Sequence, residues 1–305
     1  MSTETKGFPN LKLNNGETIP LIAYGLGTAN YKRGDKNKLD QHIVNLTVQA
    51  IQTGFTHLDG AEAYGNEAEL GAAIRAAGVP REALYVVTKA TPRADRSLEE
   101  NFAASLEKLG LDYVDLYLIH SPFQISDPPE LAQKKWAEME AIHASGRAKS
   151  IGVSNFLQEH LEPILATAQI VPAINQIEFH PYLQHVTPDG KWDLLKFCKE
   201  KGIALSGYAG LTALTAAAPG PVDGKYEELA SKYNVTEGNV ALRWTLDQGI
   251  VAITTSSRED RLRDYLEKLP SFNLSEDEVK DISELGRKKH YRAFWTKYFE
   301  KDDRR

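Results

Sequence analysis

The chain has 305 residues, 42% of them hydrophobic and 26% charged, a composition that excludes disordered and collagen-like proteins. Its 36 basic and 42 acidic side chains leave a net charge of −6, so no positive field exists to hold nucleic acid or an anionic membrane. The single cysteine, Cys198, cannot form an internal disulfide, and the first residues carry no apolar leader, so we expect a cytoplasmic protein.

The first predicted element is a small β-hairpin. Residues 11–20 alternate between apolar and polar side chains and contain the pair Asn15-Gly16. This pair accepts the positive φ angles of a type I′ turn. We therefore predict a hairpin cap ahead of the first long strand.

Eight short apolar or β-branched runs follow, spaced by roughly 30 residues, and we predict a strand at each. They cover residues 21–28, 56–61, 84–90, 114–121, 148–155, 173–179, 203–210 and 250–256. Several of them are continuous apolar runs, which are typical of strands buried on both faces of a parallel sheet.

Segments with helical periodicity separate these runs. The clearest begins at Ser97, which forms a capping box with Glu100, and ends at Gly110. Further helices are predicted over residues 38–53, 67–77, 129–144, 157–168, 191–201, 226–233, 237–247 and 275–285. We predict a loop over residues 211–224 and a frayed tail over residues 301–305.

Eight strand–helix units form the pattern of a (β/α)8 TIM barrel, a fold of about 250 residues within the α/β class. No shift in composition marks a linker, so we predict a single domain over residues 1–305. The alternative, a doubly wound sheet, requires G-x-G-x-x-G after the first strand. The chain has Gly25-Leu26-Gly27-Thr28-Ala29-Asn30 there, which fails at the last position.

Four side chains at predicted strand ends could perform proton chemistry, because the carboxyl ends of barrel strands face a common site. An ammonium at Lys89 would lower the pKa of the Tyr64 phenol, and Asp59 would keep that ammonium charged. An imidazole at His120 could donate to a carbonyl oxygen. Taken singly, these residues would be an ordinary ion pair, a packing aromatic and a core histidine. Together they predict proton delivery to a carbonyl oxygen.

Two longer stretches carry a family resemblance. Residues 54–67, GFTHLDGAEAYGNE, resemble the first signature of the aldo-keto reductases, and residues 149–156, KSIGVSNF, resemble the second. The blocks around Lys89, His120 and Gln176 are similar to further family blocks and follow in the same order. The segments HSPF, TTSSRE and YRAFW look most like the fungal ketoamide and conjugated-polyketone reductases.

The resemblance implies a barrel that reduces an aldehyde, ketone or activated dicarbonyl with NADPH, as a monomer or weak dimer. It implies that Tyr64 is the proton donor, tuned by Lys89 and Asp59, and that His120 orients the carbonyl. The predicted cofactor contacts are Thr28, Ser154, Asn155, Gln176, Tyr208, Leu211, Thr255, Ser256, Ser257, Arg258 and Arg261. The predicted walls of the substrate pocket are Tyr31, His120, Phe123, Phe294 and Trp295. For the four residues other than His120, an ordinary packing role is an equal alternative.

The sequence departs from the family pattern at three places. Gly60 stands where the first signature prefers a hydroxyl residue, and Ala209-Gly210 replaces the usual Ser-Pro after Tyr208. Thr255 stands where the family has the lysine for the 2′-phosphate of NADPH. The last departure leaves NADH possible.

Two arginines could replace the missing lysine. Arg258 and Arg261 lie three residues apart at a predicted helix start, where they could grip a phosphate together with backbone N–H groups. The alternative is a solvated helix start in which Glu259 and Asp260 neutralise them.

Two other functions remain open at this point. A barrel that binds cofactor without catalysis would serve a regulatory or structural role, against which the four retained side chains argue. A metal-dependent lyase or aldolase would require a Schiff-base lysine or a carboxylate cluster. We predict no metal site, because His180 and His185 lack a third ligand at a familiar spacing.

Overall fold

A computed structural model describes residues 9–35 and 38–305. The amino-terminal segment on which the prediction of no leader rests, residues 1–8, lies outside the described residues. Within the described residues, no helix has both the length and the apolarity needed to cross a membrane.

Eight parallel strands close into a barrel, in which the first strand of the barrel pairs with both the second and the last. The strands are β3 (Ile22–Gly25), β4 (His57–Asp59), β5 (Tyr85–Ala90), β6 (Val114–Ile119), β7 (Ala148–Ser154), β8 (Ile174–Glu178), β9 (Ala204–Tyr208) and β10 (Val251–Thr254). The predicted (β/α)8 barrel is therefore confirmed, and each strand lies within a predicted run.

The described helices lie between and after the barrel strands. They are α1 (Gln41–Thr53), α2 (Glu67–Ala76), α3 (Leu98–Leu109), α4 (Pro129–Ala144), α5 (Gln158–Leu165), α6 (Leu194–Glu200), α7 (Asp223–Tyr233), α8 (Glu237–Leu246), α9 (Glu259–Lys268) and α10 (Glu276–Gly286). The capping box of α3 is present, with the Ser97 side chain accepting from the Glu100 N–H. Helix α7 begins three residues before its predicted start.

The predicted hairpin covers the amino-terminal end of the barrel. Strands β1 (Asn10–Lys12) and β2 (Thr18–Pro20) pair antiparallel. The Asn15 amide donates to Ser150 Oγ at 2.9 Å, which fixes the turn on β7. The buried Ile19 packs with the interior side chains of the barrel, so this end of the barrel is filled.

The prediction of a frayed tail over residues 301–305 is wrong. The guanidinium of Arg305 pairs with Glu159 at 3.2 Å and with Asp303 at 2.8 Å. Arg304 donates to the Arg287 carbonyl at 2.9 Å. Glu159 and Arg287 lie far from the tail in the sequence, and Asp303 lies within it. The high charge of residues 301–305 therefore could not indicate that this segment is ordered.

Helices α2 and α3 approach so closely at Gly71 that a methyl group has no room there. A Cβ at this position would lie 1.9 Å from the carbonyl oxygen of Leu109. We expect Gly71→Ala to lower the free energy of unfolding by about 3 kcal/mol, measured by chemical denaturation. Gly224→Ala in α7 is the matched control, because no atom lies within 4 Å of its Cβ position. Equal stability of the two variants would contradict this reading.

Candidate active site

The carboxyl end of the barrel holds a cavity of about 570 Å³. Most of the predicted site residues contribute to its wall. These are Thr28, Tyr31, Asp59, Tyr64, His120, Asn155, Gln176, Tyr208, Leu211, Thr255, Phe294 and Trp295. Sequence reasoning did not name Gly25, Gly27 and Ile253 as wall residues, because these carry no polar side-chain group to signal a site. The predicted loop 211–224 contributes to the wall through Leu211, Thr212, Thr215 and Ala216.

The Lys89 ammonium lies at the centre of a buried polar cluster. It donates to Asp59 Oδ2 at 2.7 Å, to the Gly60 carbonyl at 2.8 Å and to the Tyr64 hydroxyl at 3.2 Å. The second carboxylate oxygen of Asp59 accepts from the Gln176 amide at 2.9 Å. All three donor positions of the ammonium are therefore used, and one of them is directed at the phenol. Gly60 takes part through its backbone, so a hydroxyl side chain is not needed for this contact.

The carboxyl ends of neighbouring barrel strands bring these groups together. Asp59 is the last residue of β4, and Lys89 lies in β5. Tyr64 belongs to a 3-10 helix, Glu62–Tyr64, which follows β4 and turns the phenol back over the barrel mouth. Neighbouring parallel strands bring their carboxyl ends together, so residues 25 and 30 positions apart in the sequence meet.

Burial dominates the ionisation of Tyr64 and Lys89. Desolvation, together with the negative charge of Asp59, raises the pKa of Tyr64 well above its ordinary value. Burial lowers the pKa of Lys89, and its ion pair with Asp59 opposes that shift. The net shift is therefore opposite to the lowering that we predicted from the Lys89 ammonium, because burial outweighs it. The consequence is that Tyr64 keeps its proton throughout the physiological range.

The His120 ring packs edge-to-face on the Tyr64 ring, with ring centroids 5.6 Å apart, and both side chains line the cavity. Burial and the nearby charge of Lys89 lower its pKa to about 3. The imidazole is therefore neutral at physiological pH. A neutral ring has one N–H, which can donate to a carbonyl oxygen in the cavity.

The neutrality of His120 makes stability depend on pH. Between its ordinary pKa of 6.5 and the folded value of about 3, the unfolded chain binds a proton that the folded protein does not. Stability is therefore complete above this window and falls as the pH drops through it. Between about pH 7 and pH 4.5, we expect His120→Gln to lose about 2 kcal/mol less stability than the wild type.

Chemical denaturation at the two pH values measures this difference. The control is His42→Gln, which changes an exposed histidine near the start of α1. The other buried histidines are present in every variant, so their contributions cancel. Parallel stability curves for the wild type and His120→Gln would contradict the prediction.

A second hydrogen-bonded chain runs from Tyr208 to the backbone at His120. The Tyr208 hydroxyl donates to Asn155 Oδ1 at 2.7 Å, and the Asn155 amide donates to the His120 carbonyl at 2.8 Å. Ser154 is buried beneath this chain, with its hydroxyl donating to the Gln176 carbonyl at 2.9 Å. Ser154 thus supports Asn155 and Gln176 but is not part of the cavity wall described above.

The predicted phosphate contacts lie past the rim of the cavity. Thr255 lines it, whereas Ser256, Ser257, Arg258 and Arg261 are at or just before the first turn of α9. The Arg258 guanidinium forms an ion pair with Asp260, as in the solvated alternative. Both side chains are more than half exposed, so a phosphate could displace this pair at little cost.

Aromatic side chains form the other end of the cavity. Tyr31 packs edge-to-face on Tyr64 at 5.1 Å, and Trp295 lies 6.0 Å from His120. Phe123 does not line the cavity; its ring stacks on Tyr298 at 3.9 Å and lies 5.2 Å from Trp295. Phe123 thus packs against Trp295 and Tyr298, as in the packing alternative.

Cys198 and the two histidines of residues 180–185 belong to the interior. Burial raises the pKa of Cys198 to about 12, so its thiol is unreactive. Among residues 9–35 and 38–305, no group of three or more His, Cys, Asp or Glu side chains is arranged to hold a metal ion.

The fold and the site define a carbonyl-reducing type of barrel, and comparison with known proteins identifies the family. Residues 23–287 match the aldo/keto reductase family, and the chain belongs to it.

Two curated relatives are similar over nearly their whole length. The NAD/NADP-dependent indole-3-acetaldehyde reductase of Schizosaccharomyces pombe is 39% identical, over 92% of this chain and 96% of its own. The NADPH-dependent alpha-keto amide reductase of Saccharomyces cerevisiae is 38% identical, over 95% of each chain. Among solved structures, a Bombyx mori aldo-keto reductase in complex with NADP superposes with a TM-score of 0.78 at 31% identity, over 92% of this chain and 93% of that one.

Proposed function

We propose that the protein reduces an aldehyde, ketone or activated dicarbonyl to the alcohol, using NADPH. The observation that carries the proposal is the Tyr64 hydroxyl, which lies 3.2 Å from the buried Lys89 ammonium and lines the cavity beside a neutral His120. The relatives support it, because those named above are reductases that use NAD, NADP or NADPH. None of them supports the alternative of an idle regulatory barrel.

The residues present fit a nicotinamide dinucleotide. The Asn155 and Gln176 side chains and the Tyr208 ring line one part of the cavity, where we propose that they hold the nicotinamide. Thr254, the last residue of β10, also lines the cavity, next to Thr255. When bound, the cofactor supplies the hydride that reduces the carbonyl carbon.

We propose that the chain's own residues manage the carbonyl oxygen. His120 donates its N–H to this oxygen and fixes its direction. Tyr64, which is protonated at physiological pH, transfers its hydroxyl proton to the oxygen as negative charge develops there. The phenolate that remains is stabilised by Lys89, and Asp59 keeps that lysine charged.

The choice of cofactor depends on the start of α9. With Thr255 in place of the family lysine, we propose that Arg258 and Arg261 hold the 2′-phosphate, which favours NADPH and leaves NADH possible. Backbone N–H groups at this helix start would add donors for the phosphate.

A panel of carbonyl compounds tests the function by the loss of NADPH absorbance, and repeating it with NADH compares the two Michaelis constants. We expect turnover of at least one carbonyl and a lower KM for NADPH than for NADH. Tight NADPH binding without any turnover would overturn the reductase and favour the idle barrel. A lower KM for NADH would overturn the role of the two arginines.

We also propose that the protein is cytoplasmic, acts on a small molecule, and is a monomer or weak dimer whose 305 residues form one domain. The acidic composition and the single cysteine support the proposed cytoplasmic location.

Sedimentation over a range of concentrations tests the proposed oligomeric state.

A further inference from the structure

The carboxyl-terminal segment 293–295 lines the cavity, although it lies more than 100 residues beyond Gln176 in the sequence. A single buried carboxylate holds it against the barrel. Glu178 accepts the Ala293 N–H on Oε1 at 2.7 Å and the Phe294 N–H on Oε2 at 3.0 Å. Each carboxylate oxygen therefore binds one of two successive backbone groups of the tail.

The barrel holds this carboxylate firmly. Glu178 is the last residue of β8 and is only 2% exposed. The His180 ring nitrogen Nε2 lies 3.0 Å from Oε1, and the His185 ring lies 2.7 Å from the Glu178 backbone carbonyl. Burial alone would raise the pKa of Glu178, but its hydrogen bonds to His180 and to the two tail amides outweigh burial and lower it. The group is therefore a carboxylate, which can accept both amides.

The residue that follows the two anchored backbone groups is Trp295. This residue has a φ of +60°, a left-handed conformation that costs a bulky side chain about 1–2 kcal/mol. Such a conformation persists only where the surroundings enforce it. The indole N–H donates to the Tyr208 hydroxyl at 3.2 Å, and the indole ring lies 6.0 Å from His120. The Trp295 ring thus lines the cavity next to His120.

We propose that Glu178 is a positioning residue for substrate specificity, which acts by aiming the Trp295 indole into the cavity. The proposal rests on the proposed function and extends it to a substrate class, carbonyl compounds with a planar apolar substituent that reaches the indole. The competing reading is that Glu178 only stabilises the fold through His180. The two readings make different predictions for a small carbonyl compound that is too short to touch Trp295. If Glu178 acts only through the indole, changing Glu178 leaves the KM for such a compound unchanged.

Glu178→Gln tests the proposal, because an amide can accept from one tail N–H but presents its own donor to the other. The measurement is KM and kcat for benzaldehyde, as the planar substrate, and for acetaldehyde, as the small one. We expect KM for benzaldehyde to rise about tenfold, the size of one lost charge-assisted hydrogen bond, with kcat changed less than about twofold. KM for acetaldehyde should stay within about twofold of the wild type.

A cycle with Trp295→Ala separates positioning from a general structural effect. If Glu178 acts through the indole, adding Glu178→Gln to Trp295→Ala should change KM for benzaldehyde by less than about twofold. The proposal is overturned if the tenfold effect persists without the indole, if both aldehydes are affected equally, or if Glu178→Gln behaves as the wild type.

A second variant removes part of the same contact by changing the carboxyl-terminal segment instead of Glu178. Ala293→Pro removes one donor and leaves the buried carboxylate and His180 unchanged, so it serves if Glu178→Gln fails to fold. We expect the same KM shift, and faster tryptic cleavage at the exposed Lys297 in both variants. This cleavage assay needs no substrate. Unchanged cleavage in the variants would show that Glu178 does not anchor the carboxyl-terminal segment. Absence of wild-type turnover with any carbonyl would instead refute the proposed function, and so the two failures are distinguishable.

Discussion

Replacing Tyr64 by phenylalanine is expected to lower kcat about 1,000-fold, within the range that a positioned proton donor contributes. The ring remains to fill the same space, and only the hydroxyl beside Lys89 is lost. Cofactor affinity should therefore stay within about twofold of the wild type. Steady-state kinetics and a fluorescence titration with NADPH measure the two quantities.

Tyr113→Phe provides the matched control for the loss of a phenol. Its ring lies under the Arg81 guanidinium at 4.2 Å and does not line the cavity. This variant should keep the wild-type kcat. A kcat for Tyr64→Phe within about tenfold of the wild type would remove Tyr64 from the role of proton donor.

Replacing Lys89 by methionine is expected to damage both stability and catalysis. Without the ammonium, the Asp59 carboxylate keeps its bond to Gln176 but is left buried without its counter-charge. Breaking such a pair costs about 3–5 kcal/mol, measured as a loss in the free energy of unfolding. We expect kcat to fall at least about 100-fold as well, because the phenolate left at Tyr64 loses its neighbouring charge.

Two further variants separate these effects. Adding Asp59→Asn to Lys89→Met removes the stranded charge, so most of the stability should return while activity stays low. Lys135→Met is the control, because the Lys135 side chain is also buried but its hydrogen-bond partners, the Arg96 carbonyl and Glu138, do not line the cavity. It should lose stability and keep kcat. If Lys89→Met kept wild-type kcat, the assigned role of Lys89 would be wrong.

The barrel and the centre of the site were predictable because both follow from local rules. Continuous apolar runs indicate parallel strands, and polar residues at their carboxyl ends indicate a site. These rules alone place Asp59, Lys89 and His120 together. The start of α3 was likewise predictable, since a capping box is contained within four residues.

What could not be predicted depends on contacts between distant segments. The pKa of Tyr64 is set by how deeply the phenol is buried, which no nearby residue indicates. Phe123 and Trp295 are both aromatic residues of predicted wall segments, and nothing in the sequence indicates that Trp295 lines the cavity whereas Phe123 stacks on Tyr298. The order of residues 293–305 depends on contacts with Glu178, at the end of β8, and with Glu159, in α5.

The contact between Glu178 and the tail involves only main-chain groups of the tail. Residues other than proline at positions 293 and 294 offer the same two N–H groups, so the anchor tolerates exchange of the side chains that it holds. Natural variation or design could therefore replace the stretch 293–299 as a cassette and alter which compounds are accepted, while Tyr64, Lys89 and His120 remain untouched.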